Sequence, residues 1–175
     1  DPSLDSELTA FENMQFHASL YRVKGENIPE LLKLVGLWSR KDSLVKTFSG
    51  GMKRRLEIAR SFIHAPGLLF LDEPTLGLDS QTRNAMWDQI KTLNKQYKTT
   101  IFFSTHYLAE AEMVADRIAI IDHGRIKEVG TTKELTKKTG TKTLEDAYLE
   151  ITGHEIREEN SPENRLRQEV RLRGG

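Results

Sequence analysis

Leu68-Leu69-Phe70-Leu71-Asp72-Glu73-Pro74 decides the fold. Four apolar residues in a row, with Pro66-Gly67 before them and Pro74 after, are too few for a helix. They suit a short strand buried on both faces of a parallel sheet. Two acids follow the run at once. A carboxylate at the C-terminal end of a parallel strand lies in the crevice where α/β proteins bind ligands. Asp72 is placed there to hold Mg²⁺ through water, and Glu73 to orient or deprotonate an attacking water. A solvated acidic pair in a turn before Pro74 fits this segment equally well.

Downstream, Ser80 to Tyr97 is amphipathic at helical period, with Met86, Ile90, Leu93 and Tyr97 on one side and Asp79 as N-cap. Thr99 to Phe103 reads as a second buried strand, Leu108 to Ala115 as a short helix, and Arg117 to Ile121 as a third strand. Asp122-His123-Gly124 turns the chain back into Arg125 to Val129, a hairpin partner. Thr131 and Glu134 form a capping box. The order strand, helix, strand, helix, strand predicts an α/β fold with a parallel core sheet.

Upstream, Ser49-Gly50-Gly51 opens a helix whose apolar face is Leu56, Ala59, Phe62 and Ile63. Arg40 to Phe48 reads as a charged linker. Before it, Thr9 and Glu12 form a first capping box, and Phe11, Met14, Ala18 and Tyr21 recur at helical spacing. Ile28, Leu31, Leu32 and Val35 resume the pattern up to Gly36, a left-handed stop. Residues 9 to 37 are therefore expected to be two helices with no strand between them. Beyond Thr141 the chain is charge-dense. Leu144, Tyr148 and Ile151 form one apolar stripe, and Ser161-Pro162-Glu163 caps a last short helix bearing Leu166 and Val170.

Composition narrows the classes. The chain has 175 residues, 26 Lys+Arg against 26 Asp+Glu, five His and no Cys. That length fits one domain or most of one. Zero Cys excludes disulfides, thiolate nucleophiles and Cys-based zinc sites. No two His stand in an H-x-x-x-H pair, which excludes a helical metalloprotease site. Zero net charge argues against nucleic acid as the main partner. The longest apolar runs are four residues, whereas a membrane-spanning helix needs about 20. The chain begins with Asp1 and shows no charged-then-apolar leader, so it reads as a fragment without a signal peptide.

The Ser49-Gly50-Gly51 helix start offers unpaired N–H groups and partial positive charge, which suits a phosphate. An ordinary N-cap serine with flexible neighbours is the simpler reading. Lys53, Arg54 and Arg55 crowd the first turns of the same helix, where positive charge opposes its dipole. A docked polyanion would compensate; so would three long side chains reaching water. His106, after Phe103-Ser104-Thr105, falls at the same sheet edge as Asp72 and Glu73 and can donate to a phosphate oxygen.

In series, Phe48-Ser49-Gly50-Gly51-Met52, Leu68 to Pro74, Gly77-Leu78-Asp79 and Ser104-Thr105-His106 resemble the ATP-binding subunits of ABC transporters. The resemblance covers residues 1 to about 155. It implies a partial P-loop NTPase fold of the ABC ATPase type, with an all-helical subdomain over 1–47. The C-terminal part of the ATPase core follows over 48–138, and a charged, partly disordered extension is expected over 139–175. Ser49, Gly50 and Gly51 match the signature motif, which contacts the terminal phosphate of ATP bound to the opposite subunit. Asp72 and Glu73 match Walker B, with Mg²⁺ near Asp72 and Glu73 as general base. Asp79 matches the D-loop that reaches across the dimer, and His106 the switch histidine that senses the γ-phosphate. The implied partners are transmembrane permease subunits and a second nucleotide-binding subunit, with no nucleic acid. The implied location is the inner face of the cell membrane. Met52 and Thr143 to Leu149 look like the exporter branch that includes drug-resistance ATPases.

The departures carry weight. Met52 stands where the signature commonly has Gln. No glycine of the twelve is followed by Lys, so G-x-x-x-x-G-K-[ST], the Walker A phosphate cradle, is missing. Asp1 begins a few residues past the expected Q-loop. The resemblance therefore implies an ATPase parent and a fragment that alone neither binds ATP tightly nor hydrolyses it. Losing the strand beside Leu68 to Leu71 should leave an apolar edge and drive self-association. Two alternatives are a soluble ABC-type ATPase of repair or translation and a non-enzymatic interaction module. Repair ATPases flank these motifs with long coiled coils, and no sustained heptads occur here. The final five residues, Arg171 to Gly175, are also those of ubiquitin, but nothing upstream resembles that fold.

Overall fold

A computed structural model describes residues 4–153. The chain divides into two compact units, one up to His106 and one from Tyr107 onward.

The first unit opens with helices α1 (Ala10–Leu20) and α2 (Ile28–Leu34). The capping box of α1 forms as expected: Glu12 N–H donates to Thr9 Oγ1 and Thr9 N–H to the Glu12 carboxylate. Ala10, Met14 and Ala18 of α1 are buried, as are Ile28, Leu31 and Leu32 of α2. Asn13 is buried among them. Its side chain is satisfied by backbone: it accepts from Asp5 N–H at 2.9 Å and donates to the carbonyls of Asp5 and Thr9. This pins the lead-in loop to the helix, because a buried amide must find partners. Gly36 takes φ +67°, the left-handed stop. The stretch expected to be a charged linker contains two single 3₁₀ turns, Trp38–Arg40 and Val45–Thr47.

Helix α3 (Gly50–Ser61) buries Leu56, Ile58 and Ala59, with Phe62 and Ile63 buried just beyond it. Strand β1 (Leu68–Leu71) follows, then α4 (Ser80–Tyr97) and β2 (Thr100–Phe103). The strands pair in parallel, with Leu68 beside Thr100 and Leu71 beside Phe103. This β1-α4-β2 crossover is the α/β unit the sequence predicts. Helix α4 buries Met86, Trp87, Ile90 and Leu93, and the Trp87 ring lies 4.7 Å from that of Phe103.

Strand β1 is not buried on both faces. Leu68, Phe70 and Phe102 are about half exposed or more, and alternate with half-buried Leu69, Leu71, Ile101 and Phe103. A single crossover helix can cover one face of a two-stranded sheet, and here α4 does so. Phe70 and Phe102 lie 5.5 Å apart on the open face, and the two-strand sheet has no further strand on either edge among the described residues. Exposed edges and apolar faces template association. The chain is therefore expected to sediment above monomer mass at high concentration, and Phe70→Lys to lower that mass. A monomer at every concentration tested would contradict this.

The second unit holds α5 (Leu108–Val114), β3 (Ile118–Asp122), β4 (Arg125–Gly130), α6 (Thr132–Thr139) and α7 (Leu144–Thr152). The expected hairpin forms, β3 pairing antiparallel with β4; the expected third place in the parallel sheet does not, since among the described residues β3 pairs with no other strand. The turn residues His123 and Gly124 take φ +47° and +71°, the geometry of a tight hairpin turn. Local turn chemistry supplies β3 with its partner, and the hairpin rather than the strand-helix-strand order decides its pairing. Ala111, Ile118, Ile120, Leu135 and Leu144 form this unit's core, with Tyr148 and Ile151 packed against it. The Thr131–Glu134 capping box is present. The expected helix after Ser161 lies outside the described residues.

Candidate functional site

The parallel register sets the site. Because Leu71 pairs with Phe103, Asp72 and Ser104 leave the sheet side by side. The Ser104 hydroxyl donates to Asp72 Oδ1 at 2.6 Å and accepts from Glu73 N–H at 3.0 Å. His106 Nδ1 lies 3.0 Å from both carboxylate oxygens of Glu73. Asp72, Glu73 and His106 thus meet at one sheet edge, as their positions predict.

Glu73 has φ +43°, a left-handed conformation that costs a non-glycine residue about 1–3 kcal/mol. It persists because neighbours hold it from several sides. Its N–H is bound by Ser104, its carbonyl accepts from Leu76 N–H at 3.1 Å, and Arg54 reaches the same carbonyl at 3.3 Å.

Helix α3 faces this loop. Ser49 is its N-cap and accepts from Met52 N–H at 3.3 Å. Gly50 and Gly51 occupy the first two helical positions with no left-handed φ. A Cβ on Gly50 would meet nothing within 4 Å, and one on Gly51 would make only ordinary contacts with Thr82 and Leu78. The fold itself therefore does not require glycine at either place. Both line a cleft of about 720 Å³ that Lys53, Asp72, Glu73 and Gly77 also line. The two glycines and the two acids thus share one cavity.

The crowding of cations at this helix start has a partly internal explanation. Arg54 donates to the carbonyls of Asp72, Glu73 and Pro74, and Arg55 to that of Val35 at 3.1 Å. Neither arginine simply reaches into water. Asp79 caps α4, accepting from Thr82 N–H at 2.9 Å and from the Thr82 hydroxyl at 2.6 Å. The Thr82 hydroxyl, then its N–H, hold the Asp79 carboxyl below the usual carboxylate range.

Sequence reading gave Ser104 and Arg54 no role of their own. Ser104 could have been found from strand register, since it follows Phe103 as Asp72 follows Leu71. Arg54 carried only the signal of a cation at the wrong end of a helix.

Among the described residues no three His, Cys, Asp or Glu side chains cluster as a metal cage. Asp72 with Ser104 offers an oxygen site suited only to an ion that keeps most of its ligands as water or phosphate, as Mg²⁺ does.

Comparison with known proteins agrees with this arrangement. The sequence model of the family described as ABC transporter matches residues 1–76. The chain is 46% identical over 149 residues to the daunorubicin/doxorubicin resistance ATP-binding protein DrrA of Streptomyces peucetius, covering 81% of this chain and 44% of that one. It is 43% identical to the linearmycin resistance ATP-binding protein LnrL of Bacillus subtilis, over 78% of this chain and 45% of that one. It is 39% identical to the Nod factor export ATP-binding protein I of Cupriavidus metallidurans, over 76% and 45%. A solved structure of the ATP-binding subunit of an ABC transporter superposes with a TM-score of 0.73 at 33% identity, over 86% of this chain and 65% of that one. The chain spans less than half the length of these curated relatives.

Proposed function

Since the chain belongs to the family of ABC transporter ATP-binding subunits, we propose that it forms the signature and Walker B portion of an ATPase that drives export through separate membrane subunits. The observation that carries this reading is the meeting of Glu73 and His106 at 3.0 Å, beside a cleft that Gly50 and Gly51 also line.

In the proposed reaction Glu73 takes the proton of the water that attacks the terminal phosphate of ATP. His106, oriented through Nδ1 by that carboxylate, donates from Nε2 to a phosphate oxygen in its imidazolium form. Asp72 would hold Mg²⁺ through water, and the ion would supply charge neutralisation on the phosphates. Ser49, Gly50 and Gly51 present helix N–H groups to the nucleotide bound by a second subunit, and Asp79 reaches across the same interface. Phosphoryl transfer rests on positioning and electrostatics, so a chain without a Gly-Lys phosphate cradle has little hold on ATP.

Residues 1–47 are the segment we assign to docking on the membrane subunits. Residues 48–138 form the nucleotide-facing part and 139–175 an extension. No helix among the described residues is long and apolar enough to cross a membrane. The relatives named above carry resistance and export names, which favours export over repair or translation.

The test is ATP turnover by this chain alone and by a full-length protein that joins it to a P-loop. We expect none above background from the chain and clear turnover from the full-length protein. Turnover by the chain alone that Glu73→Gln abolishes would overturn the reading.

A further inference from the structure

The guanidinium of Arg54 joins the helix that carries the glycines to the loop that carries the acids by direct hydrogen bonds. Its Nη2 donates to the Asp72 carbonyl at 2.7 Å and the Glu73 carbonyl at 3.3 Å, and its Nε to the Pro74 carbonyl at 3.0 Å. Its Nη1 pairs with Glu57 one turn along α3 at 3.1 Å. Three successive carbonyls of the acidic loop are thus gathered on one planar cation two residues beyond Met52. The loop needs such a restraint, because Glu73 sits at φ +43° and its carboxylate must stay within reach of His106.

We propose that Arg54 is a positioning residue: it fixes the backbone of the Asp72–Pro74 loop, and so the Glu73 carboxylate, to helix α3. This rests on the reading of Glu73 as general base. A shift of the Ser49-Gly50-Gly51 helix start when a nucleotide docks then moves the acids through the same guanidinium. Lysine is a poor substitute, since its donors radiate from one atom and do not reproduce the planar spacing of Nε and Nη2.

Arg54 and Glu57 both line the cleft, but the hydrogen bonds of the guanidinium go to three backbone carbonyls and to Glu57, which leaves it committed to the loop. Its loss should therefore lower turnover and spare binding. In the full-length protein, Arg54→Ala is expected to cut kcat by about tenfold to a hundredfold while KM for ATP stays within about twofold. Arg54→Lys should fall between it and wild type. Glu57→Gln, which removes the ion pair and keeps the carbonyl bonds, should stay near wild type. In the present chain the Leu76 amide, bonded to the Glu73 carbonyl, should exchange faster in Arg54→Lys while the Leu56 amide is unchanged. That measurement decides the matter if Arg54→Ala fails to fold. Wild-type kcat in a folded Arg54→Ala, or unchanged Leu76 exchange in Arg54→Lys, overturns the proposal. Glu73→Gln serves as the reference. If it abolishes turnover and Arg54→Ala does not, only the role of Arg54 falls. If Glu73→Gln turns over normally, the base assignment falls and the role of Arg54 with it.

Discussion

Glu73→Gln in the full-length protein is expected to lower ATP turnover by about 10²- to 10⁴-fold, the range for removing a general base. The substitution keeps the side-chain length and an oxygen that can still accept from His106. The left-handed turn at Glu73 is held through its N–H and carbonyl, not its carboxylate. Folding should therefore be little affected, and ATP affinity should hold. The loss should appear in kcat alone. Equal losses in kcat/KM and in ATP affinity would point to a damaged site, and an unchanged kcat would remove Glu73 from the chemistry.

Gly51→Ala is expected to part stability from activity. At a helical position without left-handed φ, alanine lowers backbone entropy in the unfolded chain and should raise stability by up to about 0.5–1 kcal/mol. Its Cβ meets only ordinary contacts in this structure. If the glycines serve the close approach of a phosphate to helix N–H groups, the same methyl should obstruct that approach. A preorganised donor set that loses its grip on a developing charge typically costs about a hundredfold in rate. Gly50→Asp should be worse, since it adds negative charge where a polyanion must dock. The check is a melting curve beside an ATPase assay. Stability and activity falling together would make the glycines structural after all.

Much of this was readable in advance. Helix α4 runs from Ser80 to Tyr97 behind its Asp79 cap, as the apolar spacing of Met86, Ile90 and Leu93 implies. Both capping boxes and the His123-Gly124 turn are local chemistry, written within a few residues, and all three form. Asp72, Glu73 and His106 converge because β1 and β2 pair in parallel, so the residues that follow the two strands share one sheet edge. What escaped was set by contacts far along the chain. Arg54 binds carbonyls 18 and 20 residues away in sequence, and nothing in its neighbours announces them. Asn13 is buried because the lead-in backbone closes over it, which the apolar spacing of its helix does not encode. The open face of Phe70 and Phe102 reflects how many layers cover a strand, and an apolar run does not encode that number.

The central claim is that this chain presents one half of a nucleotide site that a second subunit completes. The most direct test mixes the chain with a full-length protein whose P-loop and general base are intact and whose own signature glycines are changed to aspartate. The account predicts that wild-type chain raises ATP turnover of that variant with saturating dependence on concentration, and that chain carrying Gly50→Asp does not. No gain from the wild-type chain at any concentration, or the same gain from both, would contradict it.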